Sequence, residues 1–294
     1  MKVAFIINST RKLSKFATKV IALVDDSTEL QGESYYTQST KHAIEIANQI
    51  AFDTDLIVAV GGDGTCHEVI NGIGLNQLSK IKLAVIPIGS GNDFSGQLFI
   101  KSPEEFLSKI LNNSFQLVDI GIVKTESKKT LFLNVADIGF GAKVVELLNR
   151  QRNRGLGGKA SYAIAILRTF FLHKKAYIEL TGDDFEFKGK FLMVAFCNGS
   201  TFGHGLVINP DAKINNNKLN ITVIGNVSVF AYLLNLNRLK KGVRINHPQV
   251  HYFETINTNI KINGEKQWME ADGELLGANV NAISIQPNAI ELLN

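Results

Sequence analysis

Apolar runs and helical apolar spacings alternate along the first third of the chain. Val3–Ile7 is a short apolar run with a β-branched bias and reads as a buried strand. Phe16, Val20, Ile21, Leu23 and Val24 recur at roughly helical spacing. Within residues 41–51, Ile44, Ala47 and Ile50 sit about one turn apart. Leu56–Val60 and Leu83–Ile86 are further buried-strand runs, and Glu68–Ile73 opens a helix between them. Strand, helix, strand, helix, strand predicts a parallel α/β sheet with its crossovers. Ligands of such sheets sit at the carboxyl ends of the strands.

Beyond Val118 the strand-like segments become more frequent: Leu131–Ala136, Tyr177–Leu180, Phe185–Phe187, Phe191–Phe196, Leu219–Ile224, Ile256–Ile262 and Val280–Ile285. Helical patterns interrupt them at Ala142–Asn149, Lys159–His173 and Ser228–Lys240. The change of pattern predicts a second, β-rich domain with a boundary near residue 120, so the expected domains are 1–120 and 121–294.

Composition narrows the picture modestly. Of 294 residues, 45% are hydrophobic and 20% charged, which supplies a sizeable core. A net charge of +4 is too mild to argue for nucleic acid, and none is expected as a partner. Cys66 and Cys197 form no C-x-x-C pair, so neither a disulfide framework nor thiolate metal ligation is expected, and a cytoplasmic setting fits. Only five apolar residues follow Lys2, so no signal peptide is expected. The apolar stretch Tyr162–Leu172 is short and carries Arg168, so any membrane contact is expected to be peripheral.

Two glycine-rich segments follow predicted strands. Gly61-Gly62-Asp63-Gly64-Thr65 lies between the strand Leu56–Val60 and a helix. Its glycines permit close backbone approach, and the helix N-terminus offers N–H groups to an anion. Asp63 would repel a bare phosphate, a conflict that a bridging Mg²⁺ resolves. The segment equally reads as a tight strand-to-helix turn with no ligand. It is neither a Walker A loop nor G-x-G-x-x-G. Pro87–Phe94 follows the strand Leu83–Ile86 and again joins glycines to a hydroxyl, an amide and a carboxylate, although turn formers alone explain such a loop. Strand ends of a parallel sheet lie on one side, so the two loops are expected to meet.

With these residues in view, the chain resembles the bacterial diacylglycerol kinase family, whose catalytic domain is shared with sphingosine and ceramide kinases. The resemblance rests on Gly61–Thr65 with Glu68-Val69-Ile70-Asn71-Gly72, and on Pro87–Phe94. It continues in order through Val118–Gly121, Phe132–Val135 with Gly139-Phe140, Asn209–Ala212, His247-Pro248 and Asp272-Gly273-Glu274. It implies two domains, an amino-terminal parallel α/β nucleotide-binding domain and a carboxy-terminal β-rich, β-sandwich-like domain. Residues 286–294 would return to pack on the first. The implied activity is ATP-dependent phosphorylation of a lipid hydroxyl, with diacylglycerol the leading acceptor. Asn8, Thr37, Gly61, Gly62, Asp63, Gly64, Thr65, Cys66, His67, Ser90 and Asn92 would hold the nucleotide. Asp63, Asp93 and Asp119 would surround Mg²⁺. Asp272 would be the general base, with Glu274 its partner or the alternative base. Without the resemblance, Asp272-Gly273-Glu274 reads as a polar turn of a hairpin.

The chain departs from the family pattern at three places: Asn8-Ser9-Thr10-Arg11-Lys12, Lys41-His42-Ala43 and Asn215-Asn216-Asn217. At the third the family supplies an aspartate to a structural Mg²⁺, and three amides are expected to hold none tightly. His204 reads as a solvated loop residue and Trp268 as packing. The basic residues Arg150, Arg152 and Arg154, and Arg238, Lys240, Lys241 and Arg244, read as solvated helix ends or as contacts to anionic lipid. The rival readings are an NAD kinase-like soluble kinase and a nucleotide- or lipid-binding sensor without catalysis.

Overall fold

The computed structural model describes residues 1–89, 91–97, 100–152, 159–172, 176–203 and 205–294. It contains a first unit, Met1–Ile120 with Gln286–Asn294, and a second, Gly121–Ile285. In the first unit the elements are β1 (Lys2–Ile7), α1 (Lys15–Asp25), β2 (Gln31–Tyr36), α2 (His42–Ile50), β3 (Leu56–Gly61), α3 (Asp63–Ile73), β4 (Lys82–Pro87) and α4 (Pro103–Leu111). β5 (Phe115–Thr125) leads out of it. The second unit continues with β6 (Lys129–Phe132), β7 (Val135–Gly139), α5 (Phe140–Arg152), α6 (Lys159–Leu172), β8 (Ala176–Gly182), β9 (Glu186–Phe191) and β10 (Met193–Cys197). There follow β11 (Thr201–Phe202), β12 (Leu206–Val207), β13 (Leu219–Ile224), α7 (Val229–Lys240), β14 (Val250–Thr255), β15 (Asn257–Asn263), β16 (Met269–Ala271), β17 (Glu274–Gly277) and β18 (Val280–Leu293), whose last residues belong to the first unit.

The strands of the first unit run in the order β2-β1-β3-β4 and then the end of β18, all parallel. Every residue of β3 is buried, as expected for a central strand covered on both faces. β2 escapes the hydrophobic pattern because Gln31–Tyr36 is an edge strand with mostly exposed side chains. The strand order reverses between β1 and β3. In open parallel sheets that reversal opens a crevice at the carboxyl ends, where ligands bind. Asn8 and Gly61–Thr65 stand at those two ends.

In the second unit one sheet runs β14-β13-β10-β7-β16-β17. The start of β18, β15, β8 and β9 form another. Phe132, Ile178, Leu180, Phe191, Val194, Phe196, Ile221 and Ile260 interdigitate in one core, the arrangement of a β-sandwich. The opposite face of the six-stranded sheet is covered by helical residues such as Phe140, Val144 and Ala165, which pack on Val135, Met193 and Ala195. That double cover is why all five residues of β10 are buried.

Two runs that read as single strands are each broken as the chain leaves one partner set for another. Leu131–Ala136 divides into β6, paired with β5, and β7, paired with β10 and β16. Phe191–Phe196 divides into β9 and β10 at Leu192, whose N–H donates to Ile224 and whose carbonyl accepts from Phe140. Hydropathy registers both halves as one run because both are buried. No helix among the described residues is long and apolar enough to cross a membrane. Both cysteines are buried and neither forms a disulfide.

Candidate functional site

The two glycine-rich loops meet through backbone. A Cβ on Gly89 would lie 2.7 Å from the Gly62 Cα, an approach only a glycine pair tolerates. Thr65 packs onto Gly61 so closely that a Cβ there would meet its Oγ1 at 2.2 Å. Thr65 Oγ1 accepts from Asn8 Nδ2 at 3.1 Å, and Asn8 Oδ1 accepts from the Thr10 N–H at 3.0 Å. Ser9 joins the group by donating its N–H to Thr37 Oγ1 at 3.3 Å. Asn8, Thr37, Gly61 and Thr65 thus gather at the ends of β1, β2 and β3.

Asp63 is the first residue of α3, whose N-cap Gly62 has no side chain to cap the helix. Its carboxylate accepts the N–H of Asp93 and the N–H of Phe94, each at 3.1 Å. A methyl group at Gly91 would meet Asp63 Oδ2 at 3.2 Å and Asp93 Oδ2 at 4.0 Å, so the two carboxylates converge on a residue with no side chain. Asn92, in the left-handed region at φ 56°, donates Nδ2 to the Gly89 carbonyl at 3.0 Å. Its Oδ1 is buried with no hydrogen-bond partner among the described residues, a cost that a donor from a bound group would relieve.

Other expected site residues stand elsewhere. Cys66 and His67 are buried inside α3, so they are helix-packing residues behind the loop. Asp119 is fully buried and accepts the Asn288 N–H at 2.8 Å, fastening the returning end of the chain within the first unit. Among the described residues no three His, Cys, Asp or Glu side chains form a group able to hold a metal, so Asp119 is not gathered with Asp63 and Asp93 into one. Ser90, His204, Asn153 and Arg154 lie outside the described residues. Trp268, read as packing, is half exposed.

Part of the first motif is architectural. Glu68 accepts the N–H groups of Lys41 at 2.9 Å and Ala43 at 3.3 Å, capping α2 from α3. A Cβ at Gly72 would lie 2.4 Å from the Ile44 carbonyl oxygen, so Gly72 lets α2 and α3 cross at contact distance.

In the second unit, β16 and β17 form a hairpin whose turn is Asp272 at φ 50° and Gly273 at φ 87°. The Asp272 carboxylate accepts the N–H groups of Leu133 and Asn134, each at 2.9 Å. Those are the two residues at the break between β6 and β7. The bonds that hold the turn also fix the direction of both oxygens. Glu274 pairs with Ala271 across the hairpin.

The residues that pattern reasoning missed lie under this turn. Glu270 on β16 faces Asp137 on β7 across the antiparallel ladder, and both are buried. Glu270 Oε2 accepts the Gly273 N–H at 2.6 Å, and Asp137 Oδ1 accepts the Ala142 N–H at 3.0 Å. Burial, then the neighbouring Asp137 carboxylate, raises the Glu270 pKa well above its ordinary value. Burial lifts Asp137 to about 6, opposed by hydrogen bonds from Glu270 and backbone. Burial, then Asp137, pushes the Cys197 thiol up, so it is no nucleophile. At the third family departure, Asn216 Oδ1 accepts the Lys218 N–H at 3.2 Å, which commits that oxygen to the loop itself.

The comparisons agree with this architecture. Residues 2–123 match the diacylglycerol kinase catalytic domain, and residues 134–294 match the YegS C-terminal NAD kinase beta sandwich-like domain. A Pseudomonas putida protein named "Probable lipid kinase YegS-like" is 32% identical over 61% of this chain and 59% of its own length, so the chain spans about three fifths of that relative. A protein of the same name from Enterobacter sp. is 29% identical over 84% of this chain and 80% of its own length. In fold, a diacylglycerol kinase structure from Bacillus anthracis str. Sterne superposes with a TM-score of 0.72 at 20% identity, covering 99% of this chain and 96% of that one. The two domain matches together span nearly all of the sequence, and the chain belongs to the family that joins a diacylglycerol kinase catalytic domain to a YegS C-terminal NAD kinase beta sandwich-like domain.

Proposed function

We propose that this protein is an ATP- and Mg²⁺-dependent lipid kinase that transfers the γ-phosphate to a lipid hydroxyl, with diacylglycerol as the leading acceptor. The observation that carries the reading is the junction at Asp63. Two glycine-rich loops touch, a helix N-terminus opens between them, and two carboxylates converge beside Gly91. Phosphoryl transfer asks for positioning and charge neutralisation rather than covalent chemistry, and this junction has those parts.

Asn8, Thr37, Gly61, Gly62, Gly64, Thr65 and Asn92, with Ser90, are the proposed nucleotide contacts. Glycine backbone and the N-terminus of α3 would bind the phosphates, and Thr65 is held for that task by Asn8. Asp63 and Asp93 fit Mg²⁺, a hard cation that takes one or two carboxylates and completes its shell with phosphates and water. When bound, that ion neutralises charge on the transferring phosphoryl group. Asp272 is the proposed base, accepting the proton of the lipid hydroxyl, with Glu274 beside it in the hairpin. The enzyme would work as a peripheral, cytoplasmic protein at a lipid surface.

Labelled ATP offered with dispersed diacylglycerol, ceramide, sphingosine and NAD tests the proposal. Label in a lipid product supports it. Label in NAD alone favours the NAD kinase-like rival, and nucleotide binding without turnover favours the sensor.

A further inference from the structure

Helix α7 carries two apolar stripes instead of one. Tyr232, Leu236 and Leu239 face the second unit's core, and the Tyr232 ring packs on that of Phe170 at a tilt of 48°, with centroids 5.4 Å apart. On the other side Phe230, Leu233 and Leu234 are 71%, 52% and 66% exposed. These three sit at i, i+3 and i+4, one continuous strip along a surface helix. A helix apolar on both sides is ordinarily buried on both. Among the described residues nothing covers the outer strip.

The charge pattern says what would. Between Asp211 and Glu254 there is no acidic residue, while Lys213, Lys218, Arg238, Lys240, Lys241 and Arg244 are basic. Arg244 is neutralised by Asp211 at 2.6 Å, and Lys218 by Glu254. Arg238, Lys240 and Lys241 have no ion pair among the described residues, and all three are exposed. Arg238 and Lys241 continue the line of Leu234 along the helix, and Lys240 continues that of Leu233. An apolar strip that runs into unneutralised cations matches the boundary of an anionic bilayer, with side chains in the acyl region and cations at the headgroups. A second copy docked through the same segment would bring no carboxylate to these cations, because residues 212–253 contain none.

We propose that α7 is a membrane-docking helix that inserts Phe230, Leu233 and Leu234 into an anionic bilayer and holds its headgroups with Arg238, Lys240 and Lys241. The proposal deepens the lipid kinase reading and rests on it for its purpose, but binding is measured without turnover. The test is co-sedimentation of the full chain with vesicles of phosphatidylglycerol and phosphatidylcholine in equal parts, against vesicles of phosphatidylcholine alone. The wild type is expected to sediment with the anionic vesicles and weakly with the neutral ones. The variant Arg238→Gln/Lys240→Gln/Lys241→Gln should lose on the order of 100-fold in partitioning, at roughly fivefold per cation. Phe230→Ser/Leu233→Ser/Leu234→Ser should lose binding to both vesicles while its thermal melt stays that of the wild type, because the three side chains support no core. Wild-type binding equal to that of both variants, or no wild-type binding, overturns the proposal. So does a wild-type dimer in sedimentation velocity that the serine variant dissolves, which would give the strip to a second copy.

Discussion

Asp137 and Glu270 face each other from adjacent antiparallel strands, both buried, and are hydrogen-bonded side chain to side chain. Two carboxylates have no donor between them, so a bond from one to the other needs a proton on one of the pair. A buried carboxyl pair cannot ionise twice, because like charges in low dielectric repel and neither is solvated.

The pair makes stability fall with rising pH. Unfolded, both carboxyls ionise near pH 4. Folded, Asp137 is raised to about 6 and Glu270 well above its ordinary value. The folded state therefore holds more protons across that window. The stability contribution is full below about pH 4 and is lost as pH climbs through the folded values. Glu270→Gln supplies an N–H to Asp137 and a carbonyl to Gly273 without needing a proton. Its melting temperature should exceed that of the wild type by about 3 °C or more at pH 8, and the gap should close toward pH 5. Parallel melting curves for the two proteins across that range would show that no proton is shared.

Asp63→Asn should leave the protein folded and nearly abolish turnover. The substitution removes a charge from the proposed Mg²⁺ site and sets an amide against the Asp93 or Phe94 N–H. Loop packing loses little, so the melting temperature should move by less than about 3 °C. Wild-type turnover in this variant would remove Asp63 from the mechanism.

Asp272→Asn should lower kcat by about 10²-fold or more, the usual cost of a lost general base. ATP affinity should stay near wild type, because Asp272 belongs to the other unit from the nucleotide loops. Glu274→Gln should be milder. If Glu274→Gln is dead and Asp272→Asn is not, the base is Glu274, and the Asp272 bonds to Leu133 and Asn134 are purely structural.

Gly72→Ala should destabilise the first unit, because the new methyl group collides with the Ile44 carbonyl. Overpacking of this kind costs about 1–3 kcal/mol. Glu68→Ala should cost about 1 kcal/mol by uncapping α2. Chemical denaturation measures both. Unchanged midpoints would mean that the α2–α3 crossing relaxes without penalty.

β1, β3 and β4 were legible as apolar runs and α1 and α2 as single apolar stripes, whereas α4, with Phe106 and Ile110 buried, and β5 were not read. β2 was not, because an edge strand of exposed polar residues carries no apolar signal. The breaks at Leu133–Asn134 and Leu192 were hidden because a chain changing sheets stays buried throughout. The meeting of the two glycine loops followed from parallel strand geometry, but the Asp63 bonds that fasten them did not. A carboxylate's partners depend on loop conformation, which pattern does not encode. Asp137 and Glu270 were invisible for a related reason. Alone, each looks like an ordinary strand acid, and only the β7–β16 register sets them face to face.

The central claim is phosphorylation of a lipid hydroxyl. The most direct test incubates the purified chain with γ-labelled ATP, Mg²⁺ and detergent-dispersed diacylglycerol, then extracts and chromatographs the lipid phase. The account predicts a labelled phosphatidic acid whose formation disappears in Asp63→Asn and Asp272→Asn. A lipid phase without label, from protein that is folded and binds ATP, would contradict it.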